Sequence, residues 1–226
     1  MHQTRSDTIA QLAELVCSHS FDHPTRVAVD GTTACGKSTL ARELAAAIGA
    51  LGRPTIHLSM DGYHHPREHR HRRGPLSAEG YYEDAYDFQA FASGVLLPLG
   101  PGGDRHYRGR IIDLSSNQVT DDPLMLAPVD SVLIVDGSFL QRPEILGHWD
   151  HRIFVNTSFE VALARGVARD ALLLGGEAAA KTAYEARYHA AARLYINAVH
   201  PAESATVVVD NDNLANPRLH IQIANT

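Results

Sequence analysis

Gly31-Thr32-Thr33-Ala34-Cys35-Gly36-Lys37-Ser38, followed by Thr39, decides the fold. It fits the pattern G-x-x-x-x-G-K-[ST]. The two glycines permit backbone conformations that a Cβ would block. Successive N–H groups can then turn inward and cradle phosphate oxygens, and a helix starting near Lys37 adds its positive dipole end. Lys37 supplies a point charge for the outer phosphates, and the Ser38 hydroxyl is a ligand for Mg2+. Only Lys37 and Lys181 are lysines among the 20 cationic residues, so the position of Lys37 is informative.

The flanks of this loop carry the context that its mechanism needs. Arg26-Val-Ala-Val-Asp30 reads as a buried strand before it. After it, Leu40, Leu44, Ala47, Ile48 and Leu51 share one helical face, ended by Gly49 and Gly52. Upstream, Ile9, Leu12, Ala13 and Val16 predict an N-terminal helix. Downstream, strands are expected at 55–59, 111–114, 131–135, 151–156 and 205–210. Helices are expected at 88–99, after Ser158 and at 180–199, with Phe159, Ala162, Leu163, Gly166 and Val167 on one face of the middle one. Residues 62–84 read as a long polar loop rich in His and Arg. Alternating strands and helices, with continuous Val/Ile runs, predict an α/β fold with a doubly wound, mainly parallel sheet. All 226 residues are read as one domain.

Three aspartates close strands: Asp30, Asp61 and Asp136. Open α/β sheets bind ligands beyond the carboxyl ends of their strands. Asp136 ends Val132-Leu-Ile-Val and is the candidate, with Ser38, for holding Mg2+. Asp30 immediately precedes the phosphate loop and can hydrogen-bond within it. Asp61 follows the next strand, where a second substrate would meet the outermost phosphate. A carboxylate there can orient a hydroxyl and accept its proton.

The chain resembles the uridine kinase-like branch of P-loop kinases, which includes phosphoribulokinase and bacterial pantothenate kinase. The resemblance runs from Arg26 to about Asn211. It rests on the phosphate loop, Met60-Asp-Gly-Tyr-His64, Asp84-Ala-Tyr-Asp-Phe88 and Leu133-Ile-Val-Asp-Gly-Ser-Phe-Leu140. It also rests on Phe154-Val-Asn and Ala164-Arg-Gly-Val-Ala-Arg-Asp170. It implies a P-loop kinase architecture with a helical lid at roughly 165–190 and an acceptor loop at roughly 61–84. It implies ATP and Mg2+ as cofactors and transfer of the γ-phosphoryl group to a hydroxyl, first of all the 5′-hydroxyl of uridine or cytidine. A sugar, a sugar phosphate or a pantothenate-like alcohol is the alternative acceptor. Asp61 takes the base position, Tyr63 the aromatic of the acceptor pocket, and Arg165 and Arg169 the lid arginines. Four residues apart, these two arginines fall on one helical flank, where they can neutralise charge developing on the phosphoryl group. Three departures bear on the acceptor more than on the chemistry. Asp136 stands for a usual glutamate, Gly166 stands for a second arginine, and Tyr107-Arg-Gly-Arg-Ile-Ile-Asp113 stands for a Thr-His-Ser-Arg segment.

In the His/Arg-rich loop, His65 and Arg67 are the candidates for acceptor contacts, joined by Arg110 and Arg187 from elsewhere. Tyr188 is expected in the core. A sugar phosphate would draw on the cations between Arg67 and Arg73. A second class, a P-loop switch or regulator without kinase activity, lacks the Asn-Lys-x-Asp segment that reads guanine. The net charge of −6 gives no basic surface for nucleic acid. No stretch approaches the roughly 20 apolar residues that span a bilayer. Met1 to Asp7 lacks the order of a signal peptide, so a cytoplasmic location is expected. Cys17 and Cys35 are expected to be reduced. A homodimer is among the states the sequence allows.

Overall fold

The computed structural model describes residues 3–222. Helix α1 (Arg5–Cys17) starts with a capping box: the Thr4 hydroxyl accepts from Asp7 N, and the Asp7 carboxylate accepts from Thr4 N. Ile9, Leu12, Ala13 and Val16 turn inward, as their spacing predicts. Then follow β1 (Thr25–Gly31), α2 (Lys37–Ala50), β2 (Thr55–Ser59) and α3 (Ala78–Asp84). After a peripheral excursion come β3 (Val132–Gly137), β4 (His151–Asn156) and α4 (Phe159–Leu174). A helical arm consists of α5 (Glu177–Ala183), a π-turn at Tyr184–His189 and α6 (Ala190–Val199). The chain closes with β5 (Val207–Asp210) and β6 (Arg218–Ile221).

The sheet order is β6-β5-β4-β1-β3-β2, parallel except for β6 on β5. From β1 the chain first builds one side of the sheet and later crosses to β4 and β5 on the other. The strand order therefore reverses beside β1, and a crevice opens at the carboxyl ends there. Alternation divides the core into two layers. Val27, Val29, Val132 and Ile134 pack with Leu12, Val16, Leu40 and Leu44 of α1 and α2. Ala28, Leu133 and Val135 pack on the opposite face with Met60, Tyr63, Phe91 and Trp149. Covering on both faces explains why β1 and β3 are buried along their whole length and carry the unbroken apolar runs 27–29 and 132–135.

Four features differ from the sequence reading. The edge strand β6 was not expected: it is antiparallel and mostly exposed, so it lacks the apolar run of a covered strand. The 62–84 segment carries a helical turn at Arg67–Arg70 as well as α3. The helix expected at 180–199 begins at Glu177 and contains the π-turn. The 111–114 segment stands outside the main sheet, where Ile112–Asp113 pair with Gln118–Val119 as a small hairpin. Among the described residues, no helix is long and apolar enough to cross a membrane.

Candidate active site

The register of the parallel strands places the site. Ser59 pairs with Asp136 across β2 and β3, and Asp30 pairs with Gly137 across β1 and β3. The three carboxyl ends are level, so the phosphate loop, Asp61 and Asp136 open onto one cleft.

The phosphate loop is held from below. Asp30 is fully buried; it accepts from Gly31 N at 2.8 Å, from the Tyr195 hydroxyl at 2.5 Å and from Gln141 Nε2 at 3.3 Å. Burial raises its pKa despite these donors. The Cys35 carbonyl accepts from Asn211 Nδ2 at 2.8 Å and from Thr157 Oγ1 at 3.2 Å. Gly36, the N-cap of α2, has φ +98°, and a Cβ there would lie 2.6 Å from Asn211 Nδ2. Glycine is thus needed twice over, for the left-handed backbone and for the close approach of Asn211. Cys35 and Cys17 are both free thiols.

Over the loop, Lys37 Nζ donates to Thr32 O at 3.1 Å. Ser38 Oγ donates to Asp136 Oδ2 at 2.5 Å, and His57 Nε2 lies 2.7 Å from Asp136 Oδ1. A carboxylate only accepts, so the imidazole donates. Burial opposes the charge of Asp136. The hydrogen bonds from His57 and Ser38, with the charge of Lys37, outweigh that penalty and lower its pKa. A hydroxyl and an ionised carboxylate thus converge beside the phosphate loop. Two hard oxygen donors fit Mg2+, and Ser38 and Asp136 would hold it. Asp136 reaches Ser38 directly, so the shorter acid in place of glutamate still closes this pair.

Asp61 stands just beyond β2 with its carboxylate largely exposed in the cleft and Oδ1 3.8 Å from His64 Nδ1. His64 is buried, donates to the Asp61 carbonyl at 3.1 Å and packs 4.2 Å from the Tyr86 ring. Burial pushes its pKa down to about 4, so the ring is neutral near pH 7.

On α4, Arg169 lines the cleft, paired with Asp170 at 2.8 and 2.9 Å and donating to the Tyr184 hydroxyl at 3.1 Å. A Cβ on Gly166 would lie 2.2 Å from the Tyr184 ring. The tyrosine thus occupies the room in which a second arginine would stand. Its hydroxyl also donates to Asp170 at 2.6 Å, so Arg169, Asp170 and Tyr184 form one unit.

Of the residues expected from sequence, the cleft brings together Thr33, Ala34, Lys37, Ser38, Asp61, Asp136, Arg169 and Arg187. Gly31, Thr32, Cys35, Gly36 and Thr39 complete the phosphate loop and the first turn of α2 around it.

Five side chains lie elsewhere. Tyr63 is wholly buried, edge-on to Phe91 at 5.0 Å with its hydroxyl on Arg108 O, because it belongs to the core layer beneath the loop. His65 stacks on His69 at 4.1 Å, outside the cleft. Arg67 is exposed, with its N–H on Asn117. Arg110 pairs with Asp122 at 2.8 Å and borders a shallow groove on the outer side of Asp61. Arg165 donates to the carbonyls of Asn211 and Asp212 at 3.0 and 2.8 Å, because the loop after β5 captures it one helical turn before Arg169.

The sequence reading missed Tyr81 and Tyr86 as cleft residues and had Arg70 only as one of the cations between Arg67 and Arg73; Tyr188 packs against the core, as expected, and also lines the cleft. His57, on β2, supports Asp136 from outside the His/Arg-rich loop. A signal existed: His57 and Ser59 share a face of β2, and Ser59 is opposite Asp136.

A Gly-rich loop on a helix N-terminus, a hydroxyl–carboxylate pair and a facing carboxylate together define a P-loop phosphotransferase. The chain belongs to the phosphoribulokinase/uridine kinase family, whose model matches residues 27–212. No curated protein matches it. Among solved structures it is similar to a possible uridine kinase from Bacillus stearothermophilus. That match has a TM-score of 0.72 and 19% identity, covering 91% of this chain and 98% of the other. It is also similar to a candidate fructose transport system kinase from Silicibacter sp. TM1040. Here the TM-score is 0.71 and the identity 24%, covering 84% of this chain and 95% of the other. At these identities the structures share the fold.

Proposed function

We propose that this chain transfers the γ-phosphoryl group of ATP to a hydroxyl of a small molecule bound beside Asp61. The observation that carries the reading is one cleft holding the phosphate loop, Lys37, Asp61, Asp136 and Arg169. The loop amides and Lys37 take the phosphates, with the ammonium leaving Thr32 O for phosphate oxygens. Asp61 orients the acceptor hydroxyl and accepts its proton as the new P–O bond forms. Arg169 neutralises charge on the transferred group. Mg2+, when bound by Ser38 and Asp136, supplies charge neutralisation at the phosphates.

The nucleoside expectation has one supporting observation. Tyr81, Tyr86 and Tyr188 form an aromatic wall at the acceptor end, on which a uracil or cytosine ring can stack. A sugar phosphate or another anionic alcohol is supported by the arginines of the same wall. The switch reading has no comparable support, because Asp61 has no task in it.

Coupled ADP release over nucleosides, sugars, sugar phosphates and pantothenate tests the proposal. Asp61→Asn is expected to lower turnover of whichever acceptor responds by about 10²–10⁴-fold, with ATP affinity within twofold of the parent. Full turnover by the variant would remove Asp61 from the reaction.

A further inference from the structure

The acceptor end holds two cations without counter-ions. Arg187 is 5% exposed, and among the described residues its side chain makes one hydrogen bond to protein, the donation from Nη1 to the Pro75 carbonyl. Its Nε is buried without a partner. The guanidinium lies 5.2 Å from the Tyr81 ring centroid and 5.7 Å from that of Tyr188. Arg70 is half-buried; among the described residues its side chain makes no hydrogen bond to protein, and its Nε is likewise buried without a partner. Among the described residues, no carboxylate lies within ion-pair distance of either one. The neighbours behave otherwise: Arg72 and Arg73 both pair with buried Asp84, Arg108 with Asp121, Arg110 with Asp122, and Arg169 with Asp170. The cations expected between Arg67 and Arg73 are therefore sorted by the fold. Arg72 and Arg73 clamp the loop to α3, and Arg70 alone turns into the cleft.

Leaving buried charge uncompensated is costly, and two like charges near each other add to the cost. Burial first, then the charge of Arg187, lowers the pKa of Arg70. The pair also belongs to the acceptor side. Its charges act on His64 and His71 of the acceptor loop, whereas on the phosphate side Asp136 feels the charge of Lys37.

Resting on the kinase reading above, we propose that the acceptor is an alcohol carrying a phosphate monoester, gripped by Arg70 and Arg187. Oxygen count favours phosphate over carboxylate. One guanidinium fork satisfies both oxygens of a carboxylate, whereas two forks converging on one anion match the three oxygens of a monoester. A neutral nucleoside would leave both charges unmet. The tyrosine wall then holds the guanidinium of Arg187 in place by its ring faces.

Calorimetric titration of inorganic phosphate into the full chain tests this, with the phosphate loop filled by a non-hydrolysable ATP analogue and Mg2+. Saturable binding is expected, weakened at least tenfold by Arg70→Gln and by Arg187→Gln, with analogue affinity changed less than twofold. No binding to the loaded protein overturns the proposal, as does binding that neither variant changes. Variants that weaken the analogue instead would assign the pair to ATP and also overturn it. Circular dichroism checks folding, and Arg70→Gln, at the less buried site, serves if Arg187→Gln does not fold. In ADP release, sugar phosphates are expected to exceed free sugars, hydroxy acids and nucleosides by at least 100-fold in kcat/KM. Efficient turnover of uridine, unaffected by Arg70→Gln, overturns the phosphate while leaving the kinase intact. Silence with every acceptor alongside phosphate binding would sink the kinase reading and spare the anion site.

Discussion

The two ends of the cleft are built on opposite principles. At the phosphate end most of the polar groups described above have protein partners, Thr32 Oγ1 and Gln141 Oε1 excepted. Asp30 meets Gly31, Tyr195 and Gln141, the Cys35 carbonyl meets Asn211 and Thr157, and Asp136 meets Ser38 and His57. At the acceptor end, Arg70 and Arg187 keep buried donors with no partner, and Asp61 stands largely in solvent. The first end is preorganised by the fold and independent of what is phosphorylated. The second leaves its strongest groups for the ligand to satisfy. Preorganised dipoles aimed at a transferring group cost no rearrangement during reaction, whereas unmet groups confer selectivity by penalising any ligand that fails to meet them.

The largest expected effect tests the first half of that contrast. Lys37→Ala removes the one point charge over the loop, so nucleotide binding and turnover should fall together, turnover by about 10³-fold or more. The Asp61 variant should instead separate them. If calorimetry found analogue affinity unchanged in Lys37→Ala, the two ends would not differ as described. Next in size is Tyr195→Phe. The hydroxyl donates to Asp30 at 2.5 Å and accepts from Gln141 N at 3.0 Å. Its removal strands two buried groups beneath the loop, an expected loss of about 2 kcal/mol. Thermal melting should register this as a fall of about 4–8 °C. An unchanged melting temperature would show that the loop does not depend on this support.

The same contrast explains what the sequence made legible. The phosphate loop is local: eight consecutive residues, a strand before and a helix after. Its chemistry is readable because each role depends on spacing alone. The doubly wound sheet is readable for the same reason, since β1 and β3 carry their burial in unbroken apolar runs. The acceptor end depends on which of several adjacent cations faces inward. Arg67, Arg70, Arg72 and Arg73 look alike in sequence. The fold separates them through Asp84, buried on α3 and holding two of the four, and through the turn at Arg67–Arg70 that leaves Arg67 outside. Tyr63 was misplaced for a related reason: an aromatic two residues after the base position can line a pocket or enter the core beneath it. Here it pairs with Phe91 in the core. Arg165 and Arg169 share a flank, but the loop after β5 takes one of them.

His57 sharpens the comparison at the phosphate end. It contacts no loop amide, yet it fixes the free oxygen of Asp136 at 2.7 Å. Groups that orient a metal-binding carboxylate typically change metal affinity by about 10–100-fold when removed. His57→Ala is expected to raise the Mg2+ concentration for half-maximal binding of a fluorescent ATP analogue by about tenfold. Binding of the analogue without metal should stay unchanged. An effect on metal-free binding alone would reduce His57 to packing.

The smallest expected effect lies at the acceptor end, and its sign follows from burial. His64 is neutral in the fold because burial lowers its pKa to about 4, whereas an exposed imidazole in the unfolded chain titrates near the usual value of about 6.5. Between these values the unfolded chain binds more protons than the folded one. Stability is therefore fully present above about pH 6.5 and is lost as pH falls toward 4. From pH 6.5 to 5.5 the loss is about 1 kcal/mol from this residue. His64→Gln keeps a polar side chain without the titration. Urea unfolding of the variant should show a shallower fall over this interval, by about 1 kcal/mol. The opposing acceptor-side charges are Asp61, which favours the charged ring, and Arg70 and Arg187, which disfavour it. Arg70→Gln should accordingly raise the His64 pKa and weaken the slope in the same direction. Equal slopes in all three proteins would mean that His64 does not carry the neutral, buried ring on which this end of the cleft is built.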